Sequence, residues 1–91
     1  MSGSVRVTAD GYASPAGRPV RVFSIVVKSD STAASVALLN GLAGDEYDTI
    51  TGTISQAVIR NYEGGIVFPL GLYVNLDAHT TYVTANLEVI Q

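Results

Sequence analysis

Thr80-Thr81-Tyr82-Val83-Thr84-Ala85-Asn86-Leu87-Glu88-Val89-Ile90 decides the fold class. Val83, Ala85, Leu87 and Val89 fall at every second position, with Thr84, Asn86 and Glu88 between them. Side chains of an extended chain alternate between faces, so one face of this segment belongs in a core and the other near water. Only one burial register satisfies it, because a slip of one residue would turn the whole apolar set outward. Just upstream, Leu72, Val74 and Leu76 alternate with Tyr73, Asn75 and Asp77 in the same way. The intervening Asp77-Ala78-His79-Thr80 predicts a hairpin that pairs the two strands.

The same grammar runs through the rest of the chain. Turn formers cluster at Asp10-Gly11, Ser14 to Gly17, Ser29 to Ser31, Asn40-Gly41, Ala43 to Asp45, Glu63 to Gly65 and Pro69 to Gly71. Between them lie Ser4 to Thr8, Pro19 to Lys28, Ser35 to Asn40, Tyr47 to Ser55, Ala57 to Tyr62 and Ile66 to Phe68. With the two strands above, this makes about eight strands in an all-β antiparallel domain. Thr32 to Gly41 also reads as a helix with Gly41 as its stop, but Val36 and Leu38 alternate with smaller residues and Asn40-Gly41 is a hairpin signal. Pro69 lacks an amide donor and ends the Ile66 to Phe68 strand; Gly71 takes the positive φ that launches Leu72 in register. In Val20 to Val27, Phe23, Ile25 and Val27 suit a core, while Val20, Val22 and Val26 leave the opposite face apolar as well. That second face asks for cover by a loop or a neighbouring chain.

Composition bounds the remaining possibilities. Ninety-one residues form one domain spanning 1–91, with residues 1–4 expected to be flexible, and no linker or internal repeat divides it. Such a chain exposes about 5,000 Å² when folded and buries only ~63% of its unfolded surface. At 47% hydrophobic and 14% charged it is too apolar for disorder, and less charged than the ~25% of ordinary soluble domains. Without cysteine it has no disulfides, so a thin core points to reinforcement by partner subunits, in a homo-oligomer. A net charge of -3 offers no basic footprint for nucleic acid. No apolar run reaches membrane-span length, and Met1 to Val5 lacks the apolar stretch of a secretory signal, so the chain reads as made in the cytoplasm without a membrane partner.

No constellation for catalysis emerges, and the expectation is a protein that is not an enzyme, with no cofactor and no metal. His79 is the sole histidine and reads as a solvated turn residue rather than a general base. Asp45, Glu46 and Asp48 lack the spaced oxygen ligands of a calcium loop and read as a solvated acidic loop. Gly64-Gly65 and Gly71 follow no phosphate-loop pattern. The five tyrosines either line a sugar or protein contact or sit on half-buried strands.

Gly64-Gly65-Ile66-Val67-Phe68-Pro69-Leu70-Gly71-Leu72-Tyr73-Val74, followed by Asp77 to Thr84, resembles a pattern found in small virion proteins of tailed bacteriophages. An Arg21-Val22-led apolar strand and Val36-Ala37-Leu38-Leu39-Asn40-Gly41 extend the resemblance over about Pro19 to Ile90, with Phe68-Pro69 and Gly71 to Val74 as its most specific part. The resemblance implies a compact, jelly-roll-like β-sandwich that serves as a capsid decoration or cement protein, partnered with the major capsid protein or other virion proteins. It implies no catalytic residues and a location in the virion. A neck or tail component is the nearest alternative, and a carbohydrate- or receptor-binding module the next. Val20, Val22 and Tyr73 are the expected contact positions, with a core role equally compatible with the two valines.

Overall fold

The computed structural model describes residues 2–42 and 44–90, and every regular element among them is a β-strand. The strands are β1 (Ser2–Val7), β2 (Gly11–Tyr12), β3 (Val20–Ser29), β4 (Ser35–Asn40), β5 (Glu46–Thr51), β6 (Ala57–Phe68), β7 (Leu72–Leu76) and β8 (Thr80–Val89). They build two antiparallel sheets, ordered β1-β8-β3-β6 and β2-β7-β4-β5. β1 pairs with β8, β2 with β7, β3 with β6 and β4 with β5. The chain is thus one long hairpin folded at the β4–β5 loop, rolled so that β8 also meets β3 and β7 also meets β4. That winding is the jelly-roll form of the β-sandwich.

Alternation in the sequence becomes burial in the sheets. Val83, Ala85 and Leu87 of β8, Leu72 and Val74 of β7, and Val36 and Leu38 of β4 face one another across the interior with Ile50 and Phe68, while Val89 packs half-buried at its margin. The accessible surface is 4766 Å², in line with the size scaling. Thr84 faces away from the core, yet its hydroxyl is shut off from solvent without a hydrogen-bond partner. Replacing it with the isosteric valine removes an unsatisfied polar group. Thr84→Val is therefore expected to raise the free energy of urea unfolding by about 1 kcal/mol; an unchanged or lower value would show that the hydroxyl is satisfied in solution.

The two-faced apolar pattern of β3 has a different origin from the one expected. Along β3 the register steps from Val22 to Ser24, while β8 steps only from Leu87 to Asn86, so β3 carries one extra residue. This β-bulge reverses the alternation. Val20 and Val22 point inward before it, and Ile25 and Val27 point inward after it. Both valines are fully buried, which corrects the expectation that Val20 and Val22 contact a partner: the two phases serve one core. Phe23, expected inside, stands on the outer face at 39% exposure.

Four other expectations are corrected. Glu63-Gly64-Gly65 does not separate two strands; β6 is continuous and takes five steps from Asn61 to Ile66 where β3 takes two. Gly64 and Gly65, at φ +77° and +80°, accommodate this wide bulge, and a Cβ on Gly65 would lie 2.5 Å from Arg21 Cγ. Leu72 to Leu76 and Thr80 to Val89 do not form a hairpin, since β7 and β8 lie in opposite sheets. The Asp77 carboxylate takes the N–H of Ser35 and of His79 and the Thr80 hydroxyl, which fixes the connection as an arch between sheets. At the start of the chain, where residues 1–4 were expected to be flexible, Ser2 to Ser4 belong to β1 and pair with β8, and Gly11, expected in a turn with Asp10, opens the two-residue strand β2; Met1 lies outside the described residues. Thr32 to Gly41 contains strand β4 and no helix.

Candidate interaction surfaces

Three loops meet at one end of the sandwich: Ser14 to Arg18, the turn after Asn40, and Phe68 to Gly71. β6 ends at Phe68, ahead of Pro69, and Gly71 N–H donates to Phe68 O at 3.1 Å with φ at +93°, so both residues shape the turn as the sequence predicts. The turn is then stitched to its neighbours. Leu70 N–H donates to Asn40 Oδ1 at 2.9 Å, Gly17 N–H to Leu70 O at 3.1 Å, and Gly41 N–H to Gly71 O at 3.0 Å. Leu42 N–H donates to the Tyr12 hydroxyl at 2.9 Å, and Leu72 N–H to Ser14 Oγ at 2.9 Å.

With its backbone fixed from both sides, Leu70 holds its side chain 52% exposed, beside Leu42 at 62%. Together with Tyr12, Gly17, Asn40 and Gly41 they border a groove of about 360 Å³. Two large apolar side chains on a backbone frame this constrained form a preorganised contact surface, since little further ordering opposes binding. The sequence reading missed them. Their signal was leucine at the centre of turn-forming clusters, where a polar residue would serve the turn equally well.

The outer faces of the sheets differ. On the β1-β8-β3-β6 sheet, Val26 pairs with Ile59, which is 57% exposed, and Phe23 and Val67 lie farther along the same face. Glu88, Ser4 and Arg6 make its other half polar, with Arg6 lying 4.1 Å over the Tyr82 ring. On the β2-β7-β4-β5 sheet, Tyr73 is half-buried and meets Tyr12 edge-to-face at 5.3 Å. Beside this pair the small Ala37 leaves a polar trough of about 250 Å³ bounded by Ser35, Glu46, Thr49 and Asn75. Of the three expected contact residues, only Tyr73 is accessible.

Several ionisable groups are engaged in structural bonds. Asp48 accepts from Arg60 at 2.7 Å and from the Tyr62 hydroxyl at 2.8 Å, joining β5 to β6 across the open side of the sandwich, while Glu46 accepts from Thr49. Burial and the Asp48 carboxylate hold the Tyr62 pKa well above the usual tyrosine range, so its hydroxyl remains a donor. Of the expected acidic loop only Asp45 precedes a strand; Glu46 and Asp48 lie on β5 with separate bonding partners, and no group of three potential metal ligands forms among the described residues. His79 Nδ1 lies 3.5 Å from Asp30 Oδ1 with both side chains nearly half exposed.

Asp77 is the carboxylate on which acid should act. Burial pushes its pKa up, but hydrogen bonds from Thr80, Ser35 and His79 outweigh this and bring it below the ordinary 3.8. A depressed carboxylate contributes stability that is present above its unfolded pKa and lost as pH falls through the folded value. Unfolding midpoints in urea should therefore fall below about pH 4, with a smaller acid-side fall in Asp77→Asn. Equal pH profiles for the two proteins would remove Asp77 from the account.

No family model matches the chain, and neither the curated proteins nor the solved structures contain a match to it.

Proposed function

We propose that the protein is a non-enzymatic structural component of a tailed-bacteriophage virion, a decoration or cement protein that bridges the subunits of the major capsid protein and is itself a homo-oligomer. It is made in the host cytoplasm and works in the virion, without cofactor, nucleic acid or membrane. The observation that carries this reading is the Leu42–Leu70 end, where apolar side chains are held toward solvent by bonds from three loops. The resemblance of Phe68 to Val74 to small virion proteins supplies the setting, and the jelly roll is a fold that capsid proteins use among other functions. A cement protein acts through many copies, each making a modest contact, whose sum resists dissociation far more strongly than one contact does.

Copy number in purified particles tests the placement. Hundreds of copies support decoration, about a dozen support the neck or tail component, as expected for a single ring, and absence from particles overturns the proposal. Leu42→Asp with Leu70→Asp should abolish capture by capsids lacking the protein while leaving the β circular dichroism spectrum unchanged, because both side chains lie outside the core. Undiminished capture would assign the contact elsewhere. A second reading, a carbohydrate- or receptor-binding module, is favoured by the Asn75, Thr49 and Glu46 trough beside Tyr73. Retention on a polysaccharide column that Asn75→Ala and Tyr73→Ala abolish would select it.

A further inference from the structure

We propose that two copies of this chain join through strand β6, antiparallel about Ile59, to make one continuous eight-stranded sheet. β6 is the outermost strand of its sheet, so the backbone groups on its far side pair with no strand among the described residues. Such an edge recognises an extended backbone and is ordinarily blunted by charge, proline or a bulge. From Ala57 to Asn61 it has none of these except Arg60, whose guanidinium is turned back to Asp48 at 2.7 Å. The bulge that starts at Tyr62 ends the regular ladder and leaves a five-residue docking edge.

The occupant is a second copy because this edge is complementary to itself. Centred on Ile59, an antiparallel two-fold sets Ala57 opposite Asn61, Val58 opposite Arg60, and Ile59 opposite its own symmetry mate. No like charges face each other, and each Arg60 keeps its own Asp48. On the outer face the 57%-exposed Ile59 already pairs with Val26, so dimerisation would align Val26, Ile59, and the partner copy's Ile59 and Val26 in one apolar row. Register and composition agree on the same centre, as an isologous contact requires. Five residue pairs bury less than the roughly 1,200 Å² of a standard stable interface, so the isolated dimer is weak, with dissociation in the high micromolar range. This inference rests on the homo-oligomer of the proposed function and not on its placement in the virion.

Sedimentation equilibrium and cross-linking of the intact chain test it. Wild-type protein should show concentration-dependent dimerisation, and Ile59→Lys, which places like charges opposite each other, should weaken it at least about tenfold without altering the β spectrum. The chain contains no cysteine, so in Ile59→Cys any oxidised dimer must form through position 59. Val67→Cys lies on the same strand beyond the bulge and is also exposed, which makes it the control. Rapid disulfide dimerisation at 59 and slow dimerisation at 67 support the pairing. Equal rates, or Ile59→Lys that dimerises like wild type, or wild type that stays monomeric to about 1 mM, overturn it. If Ile59→Lys is monomeric and still enters particles, the dimer stands apart from the capsid contact; if the dimer forms but particles lack the protein, only the virion reading fails.

Discussion

Gly71→Val is expected to lower stability by about 3 kcal/mol and to disorder the Leu42–Leu70 end in the same step. Gly71 sits at φ +93°, where a β-branched side chain meets its own backbone, and this strain alone costs about 1 to 3 kcal/mol. A Cβ there would also stand 3.0 Å from Pro15 O and 3.3 Å from Ser14 Oγ. Neither neighbour can withdraw freely, because Ser14 Oγ accepts the Leu72 N–H and Pro15 O accepts the Arg18 N–H, while Gly71 O itself accepts the Gly41 N–H. Movement at Gly71 is thus passed to two loops, and to Leu72 and Val74, which are buried in the register that the turn sets. Gly71→Ala should cost less, since it keeps the positive φ and the close contact but lacks the branch. His79→Ala is the contrasting case: the histidine's backbone N–H and C=O make the arch bonds, so the change should stay within about 0.5 kcal/mol. Urea midpoints that rank His79→Ala below Gly71→Val in stability would refute this assignment of roles.

Strand alternation was legible wherever one residue followed another without interruption. β4 and β7 have the bounds read from Ser35 to Asn40 and Leu72 to Leu76, and β8 buries Val83, Ala85 and Leu87 as its period requires. What failed to show was every feature set by a neighbouring strand. The extra residue at Phe23 is defined only by comparing β3 with β8, so Val20 and Val22 looked like a second apolar face. Gly64-Gly65 carries the same local signal in a bulge as in a turn, namely a need for positive φ, and only continued pairing with β3 distinguishes them. Asp77 likewise reads as a turn residue in either a hairpin or an arch. Its carboxylate bond to Ser35, forty-two positions away, makes it an arch, and no local pattern announces a partner so distant. The candidate surfaces were hidden for a related reason. Ile59 and Leu70 are unremarkable in a chain this apolar until the sheet order shows that β6 is an edge and the loop bonds show that Leu70 cannot turn inward.

Phe68→Ala should destabilise the domain by about 3 to 5 kcal/mol, because it removes a large fully buried side chain from a core with little else to close over the gap. Phe68 is the last residue of β6, lies opposite Val20 of β3, and meets Tyr47 edge-to-face at 5.5 Å. Tyr47 in turn meets Tyr62 at 5.9 Å, and Tyr62 is bonded to Asp48, so one aromatic chain spans the β5–β6 opening between the sheets. A pocket of about 210 Å³, lined by Phe68 with Tyr47 and Pro69, already lies beside it, and truncation would let water into that opening instead of leaving a sealed void. For a domain of this size each kcal/mol corresponds to about 4 to 8 °C, so the melting temperature should fall by at least about 12 °C. Tyr47→Leu should cost less, and in combination with Phe68→Ala it should show coupling of about 0.5 to 1.5 kcal/mol, the value of an edge-to-face pair beyond its area. Additive losses would mean that Tyr47 shields the opening without bonding to Phe68. A loss below 1 kcal/mol for Phe68→Ala would mean that the opening is not part of the cooperative core, and that the sandwich is held from its β1–β8–β3 side alone.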